Sequence, residues 1–261
     1  MITTSLPAAA CIVDIADESA TVRTLVLDRS LEAEPGQFVM VWLPGADEKP
    51  FSLVRVDPVT LTIARVGPLT IQVCALRVGD PLWLRGPLGH GFVLPARADD
   101  RWQGSILLVA GGYGVAPLHF LAERALADGW KVSTVVGARS AADLVFHRQL
   151  AALGTEVHIT TDDGSLGEQG LATEAAERLI VAGGTHRFEA IYACGPEPML
   201  AAVERLAQAH HMPAQLSYER YMRCGFGVCG SCAQEGWLVC SDGPVRCISA
   251  VQDRTSREVY P

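Results

Sequence analysis

A chain of 261 residues with 49% hydrophobic side chains has material for two medium-sized cores and an appendage rather than for one small module. Its 21 Lys and Arg against 29 Asp and Glu leave a formal net charge of −8, and the basic residues are scattered, which excludes a nucleic-acid backbone as the main ligand. No window reaches the ~20 apolar residues of a membrane span, and residues 1–10 lack a basic run followed by a long apolar stretch, so a cytoplasmic protein without a membrane segment is expected.

The first hundred residues alternate apolar and polar positions in short runs, at 10–15, 21–27, 38–42, 52–56, 61–66 and 81–84, each closed by Gly, Pro or Asp. That rhythm predicts an antiparallel barrel. Within it, Lys49-Pro50-Phe51-Ser52 sets a cation, a flat ring and a hydroxyl in one extended run, a pattern that taken alone is an ordinary strand start. A short helix over 70–76 interrupts the alternation, and its start after Gly67 and Pro68 offers unpaired N–H groups to an anion. The polar, Pro-containing stretch 94–104 reads as a linker.

From residue 105 the pattern changes. Strands at 106–110, 131–136, 157–161 and 190–194 alternate with helices at 118–127, 143–150, 171–181 and 198–210, and a further short strand follows at 215–218. Such alternation predicts a doubly wound parallel sheet covered on both faces. Gly111-Gly112-Tyr113-Gly114-Val115-Ala116-Pro117 joins the first of these strands to its helix. Small residues there let a pyrophosphate approach the helix N-terminus, and Pro117 sits where its missing N–H is harmless. One Gly-rich turn is a weak signal, but Cys194-Gly195-Pro196-Glu197-Pro198-Met199 supplies a second at the end of a later strand. Two such turns at carboxyl ends of parallel strands frame one crevice.

Four of the eight cysteines crowd into Cys224-Gly-Phe-Gly-Val-Cys229-Gly-Ser-Cys232 and Cys240. The C-x4-C-x2-C spacing with a distal fourth cysteine is the plant-type [2Fe–2S] pattern, in a reducing compartment. Gly225, Gly227 and Gly230 permit the tight turns that aim backbone N–H groups at sulfur. A structural zinc is the alternative occupant, although zinc sites usually pair two short Cys-Cys knuckles and only one is present. Cys247 competes with Cys240 as fourth ligand; the turn Ser241-Asp242-Gly243-Pro244 favours Cys240. Cys11, Cys74 and Cys194 read as small residues in packed settings.

In order, Lys49-Pro-Phe-Ser52, Gly86-Pro-Leu-Gly89, Gly111-Gly-Tyr-Gly114, Cys194-Gly-Pro196 and the cysteine tail resemble the ferredoxin-reductase superfamily. Met222-Arg-Cys-Gly-Phe-Gly-Val-Cys-Gly-Ser-Cys232 and Val239-Cys-Ser-Asp-Gly-Pro-Val245 are similar to the electron-transfer subunits of class 1B dihydroorotate dehydrogenases. The resemblance spans essentially the whole chain. It implies an FAD-binding β-barrel at 1–98, an NAD(H)-binding α/β domain at 102–212 and a [2Fe–2S] subdomain at 213–261, facing a separate FMN-containing catalytic subunit in a heterotetramer of two of each.

It further implies that Lys49, Pro50, Phe51 and Ser52 lie along the flavin and its phosphates. Ala64, Arg65 and Val66, with Gly67, Leu69 and Thr70, would hold the ribityl chain and pyrophosphate. The family usually has Arg at the position of Lys49, and lysine keeps the charge without the planar fork. Flavin subunits of cytoplasmic sulfhydrogenases and of NADH-dependent ferredoxin:NADP reductases share these motifs and differ mainly in partner. A different class altogether is a zinc-stabilised nucleotide-binding regulator without redox turnover.

A nicotinamide exchanges two electrons as hydride and an iron–sulfur cluster one, so a flavin has to stand between them. No Ser/His/Asp set or paired carboxylates suggest hydrolysis, and His90, His119, His147 and His158 read as surface or packing residues. Arg139 could meet a 2′-phosphate, but Asp162 and Asp163 make that region acidic, which favours NADH.

Overall fold

Alternating runs leave one face of each strand apolar, and closing the sheet on itself buries all those faces at once. In the computed structural model, which describes residues 6–96, 104–183 and 188–249, six strands do this: β1 (Ala8–Asp17), β2 (Val22–Leu27), β3 (Phe38–Trp42), β4 (Glu48–Val56), β5 (Val59–Ala64) and β6 (Pro81–Leu88). They close in the order β1-β2-β5-β4-β3-β6 round a core that includes Ile12, Leu25, Val39, Val41, Leu53, Leu61, Ile63 and Leu82. The connection from β5 to β6 carries α1 (Pro68–Ala75), which seats Leu69, Val73 and Cys74 on the barrel.

Strand β4 starts at Glu48, four residues before the expected 52, because 48–52 pair with β3. It meets β5 only from Leu53 onward. Along 48–52 the edge away from β3 therefore carries no ladder, and Pro50, which has no N–H to give, is admitted there.

The second half contains β7 (Ser105–Gly111), α2 (Val115–Ala127), β8 (Lys131–Ala138), α3 (His147–Leu153), β9 (Glu156–Thr161), β10 (Glu168–Gln169), α4 (Ala172–Gly183), β11 (Ala190–Cys194), α5 (Glu197–Ala209) and β12 (Ala214–Ser217). The sheet runs β10-β9-β8-β7-β11-β12 and ends on an antiparallel strand, β15 (Val245–Ile248). One face packs α2 and α3 through Leu118, Leu121 and Leu150; the other packs α4 and α5 through Ala176, Ile180, Leu200 and Val203. The sheet is thus doubly wound, as the alternation of elements requires.

Two departures from the sequence reading have visible causes. The helix expected at 143–150 is a single 3-10 turn at Ala141–Asp143 followed by α3 at His147–Leu153. Between them Leu144, Val145 and Phe146 are buried; Phe146 takes φ 61 and sets its ring edge-on to His119 at 5.2 Å, so burial of this triplet overrides helical continuity. At the other end, the tail returns to the sheet. Strands β12 and β15 are hydrogen-bonded to each other at its edge, and only the segment between them, with the two-residue hairpin strands β13 (Ala233–Gln234) and β14 (Trp237–Leu238), forms the cysteine loop. Of the expected linker 94–104, residues 97–103 lie outside the described residues.

The halves are locked together in two places. Helix α2 lies on β4, with Phe120 entering the barrel core and Arg55 paired to Glu123. On the other side one apolar cluster runs from the barrel wall (Phe38, Met40, Leu88) through the cysteine loop (Met222, Cys232, Val239, Cys240) to α4 and α5. Among the described residues no helix is long and apolar enough to cross a membrane.

Candidate functional site

Where β4 parts from β5 the barrel opens into a cavity of about 490 Å³. Lys49, Pro50, Phe51 and Ser52 line it from β4, Thr62, Ala64 and Val66 from β5 and its end, and Gly67, Leu69 and Thr70 from the start of α1. Gly67 has no side chain to cap that helix, and Thr70 Oγ1 instead accepts from the Val66 and Gly67 N–H groups at 3.0 and 2.9 Å. A Cβ built on Gly67 would meet nothing within 4 Å, and its φ of −163 is extended backbone; the missing side chain therefore serves the open space beside it. Lys49 pairs with Asp47 and lies 4.3 Å over the Tyr221 ring, while Ala116 and Pro117 of α2 also line the cavity. A largely apolar slot whose lining includes a cation and a helix start suits a flat ring carrying a phosphate tail.

A second cavity, about 890 Å³, lies at the carboxyl ends of β7, β8 and β11 and is lined by Gly111, Gly112, Gly195, Pro196 and, from the barrel, Arg65. Its two glycine turns nest against each other: a Cβ on Gly195 would stand 3.0 Å from the Gly111 Cα and N, and one on Gly114 only 2.4 Å from the Cys194 carbonyl oxygen. Gly112, at φ +54, faces open space. Gly114 and Cys194 do not line the cavity; they are the buried contact that brings the two turns together. Burial pushes the Cys194 thiol up to about 12, with Glu219 adding to the shift, so it is a packed thiol and not a nucleophile. At the far end of this cavity stand Arg139, Asp143 and Asp162. Arg139 is largely exposed and lies 3.9 Å from Asp143, which leaves that end without net positive charge.

The cavities join. Ala64, Val66, Tyr113, Glu219 and Arg220 line both. Burial raises the Glu219 carboxyl above the usual carboxylate value, and Glu219, followed by burial, raises the Tyr113 phenol; Arg220 pairs with Glu197 at the start of α5. The sequence reading missed this segment, 217–222. Its signal was positional: it leaves the carboxyl end of a parallel strand, β12, where open α/β sheets place their ligands.

The same segment runs on into the cysteines. Tyr221 and Met222 line the first cavity, and Cys224 follows two residues later. Gly225, Gly227 and Gly230 all take positive φ, between 71 and 82. Their turns fold the cysteine loop onto itself: Cys229 Sγ lies 3.4 Å from Ser231 Oγ, and Cys240 Sγ accepts from the Gly227 N–H at 3.2 Å. Hydrogen bonds with Ser231 and then Cys224 lower the Cys229 thiol, while burial raises Cys240. Among the described residues no group of three or more His, Cys, Asp or Glu is gathered as a metal site; the C-x4-C-x2-C spacing and the Gly227 N–H turned onto Cys240 suit a plant-type [2Fe–2S] cluster. Cys247 lies instead on β15, opposite Gln215 of β12. Neither cavity is lined by His90, His119, His147 or His158.

Comparison with known proteins gives concordant results. Residues 219–252 match a family described as the iron-sulfur cluster binding domain of dihydroorotate dehydrogenase B, and residues 108–205 match an oxidoreductase NAD-binding domain. A Methanothermobacter thermautotrophicus protein named as a probable dihydroorotate dehydrogenase B (NAD(+)) electron transfer subunit is 45% identical over 88% of this chain and 85% of its own length. A Thermococcus kodakarensis protein of the same name is 41% identical over 89% and 92%. Among solved structures, one described as an NADH-dependent reduced ferredoxin-NADP oxidoreductase, in a study of flavin-based electron bifurcation, superposes with a TM-score of 0.80 at 26% identity, covering 95% of this chain and 90% of that one.

Proposed function

Because the chain belongs to the family of dihydroorotate dehydrogenase B electron-transfer subunits, we propose that it links NAD(H) to the FMN of a dihydroorotate dehydrogenase catalytic subunit in pyrimidine biosynthesis. It works in the cytoplasm, in an assembly of two copies of each subunit. Residues 1–98 bind FAD, 102–212 bind NAD(H) and 213–261 carry the [2Fe–2S] cluster. When bound, FAD supplies the exchange between a two-electron nicotinamide and a one-electron cluster.

The chain's own residues bind, orient and shield. Lys49 to Ser52 and Ala64 to Thr70 hold the flavin and its pyrophosphate, with Gly67 giving the phosphate room. Gly111, Gly112, Gly195 and Pro196 hold the nicotinamide coenzyme, with Gly114 and Cys194 keeping their turns in contact and Ala116 and Pro117 closing the flavin side. The acidic pair Asp143 and Asp162 beside Arg139 favours an unphosphorylated ribose. Cys224, Cys229, Cys232 and Cys240 ligate the irons. Tyr218, Tyr221 and Met222 wall the first cavity and exclude water from the reacting rings.

One observation carries this reading: two cavities share a wall, and the segment that contributes Glu219 and Arg220 to it runs on through Tyr221 and Met222 of the first cavity into Cys224. The test is oxygen-free purification with whatever copurifies. Flavin maxima, a broad cluster absorbance that NADH bleaches, and a bound dihydroorotate-oxidising FMN protein support it. A colourless, zinc-containing protein refutes it. The solved reductase favours one second reading, a ferredoxin:NADP reductase subunit, but at 26% against 45% identity; copurification of a different redox partner would select it.

A further inference from the structure

A guanidinium buried in the wall of the barrel ties the flavin side of the molecule to the cysteine loop. Arg85 stands on β6 opposite Met40 of β3. Its side chain is only 9% exposed, and it makes a two-pronged pair with Glu48: Nε to Oε1 at 3.1 Å and Nη2 to Oε2 at 2.7 Å. The same Nη2 donates to the Cys224 carbonyl at 2.8 Å, 139 positions away in sequence, and the guanidinium lies 5.5 Å from the Phe226 ring. Nη1 is buried without a hydrogen-bond partner in the structure.

We propose that Arg85 is a positioning residue for electron transfer, clamping the cluster-bearing loop to the flavin-bearing barrel so that their separation is fixed. Three chain segments meet at this one side chain. Glu48 immediately precedes Lys49 in the first cavity, Arg85 lies in the barrel wall, and Cys224 opens the ligand set. Packing supports the same seat: a Cβ on Gly225 would stand 3.1 Å from Met40 Cγ and 3.2 Å from Leu88 Cδ1, so the loop rests directly on β3 and β6. A lysine could not do this work, because a point cation cannot engage both carboxylate oxygens and a carbonyl in one plane. Buried ion pairs are weak stabilisers when both partners can be replaced together, which fits a role in geometry rather than in folding. Neither Arg85 nor Glu48 lines either cavity.

This inference rests on the proposed FAD and [2Fe–2S] assignment. The test uses the full chain loaded with both groups, as wild type, as Arg85→Lys and as the double variant Arg85→Met with Glu48→Gln, which strands no charge. Single-turnover reduction by NADH is followed in the flavin band and in the cluster band, with EPR of the reduced cluster as a readout independent of turnover. Flavin bleaching and NADH-to-ferricyanide activity are expected within twofold of wild type in both variants. Cluster reduction is expected to slow at least fivefold, with broadened or shifted EPR lines. If Arg85→Met with Glu48→Gln does not fold, Arg85→Lys alone carries the test. Wild type without a flavin spectrum or a reducible cluster would remove the underlying reading. Wild type with both, beside variants that match it in cluster reduction rate and EPR line shape, would overturn the clamp alone.

Discussion

Replacing Gly114 with alanine tests the contact that makes one crevice out of two turns. Its backbone, at φ −60 and ψ −9, is ordinary helical geometry open to any residue, so space alone decides what stands there. A methyl group would lie 2.4 Å from the Cys194 carbonyl oxygen, 2.6 Å from its carbon and 2.8 Å from the Gly195 nitrogen, against 3.4 Å for ordinary contact. The two turns must therefore part by about 1 Å, and strands β7 and β11, paired from Ile106 to Ala110, resist that. Overpacking of this kind costs ~1–3 kcal/mol, which for a chain of this size lowers Tm by roughly 2–12 °C. Because the parted turns are those proposed to hold the coenzyme, the KM for NADH should rise several-fold while FAD stays bound. Thermal unfolding and NADH-dependent bleaching of the flavin measure both. A Gly114→Ala protein with wild-type Tm and wild-type KM would refute the nested-turn account.

Gly67→Ala is the converse, since its Cβ meets nothing within 4 Å: stability should stay within about 0.5 kcal/mol of wild type while FAD affinity falls at least tenfold, measured by flavin retention on dilution. Cys229→Ser should lower iron content and abolish transfer to the partner while leaving NADH-to-dye activity largely intact; equal loss of both would make the tail purely structural. Burial, reinforced by Arg55 and opposed by Glu123 and the Val54 backbone, depresses the His119 pKa below the usual histidine value. Its neutral form is thus favoured in the fold, and the stability it contributes is present above the unfolded value and lost as pH falls through the folded one. His119→Gln should flatten the acid limb of the Tm–pH curve below about pH 6.5; an unchanged slope would contradict the assignment.

Most of the architecture was legible because it rests on local periodicity. Alternation in the first hundred residues and the strand–helix rhythm after 105 fix which faces must be buried, and the C-x4-C-x2-C spacing carries its chemistry in plain sight. What escaped has non-local causes. Phe146 leaves the helical register because His119, 27 positions earlier, offers it a ring to pack on. The early start of β4 depends on pairing with β3, and the return of β15 depends on the free edge of β12. Glu219 and Arg220 carry no motif and become site residues only when the end of β12 is brought against the barrel. The glycine motifs pointed to two turns that meet at the second cavity but not to the division of labour within them, in which Gly112 opens space and Gly114 removes it.

The most direct test is to add NADH, without oxygen, to the purified holoprotein and record the visible and low-temperature EPR spectra together with iron and acid-labile sulfide. The expected outcome is flavin bleaching accompanied by a rhombic [2Fe–2S] signal, with about two irons and two sulfides per chain. Flavin that bleaches beside an EPR-silent, iron-free cysteine loop would contradict it.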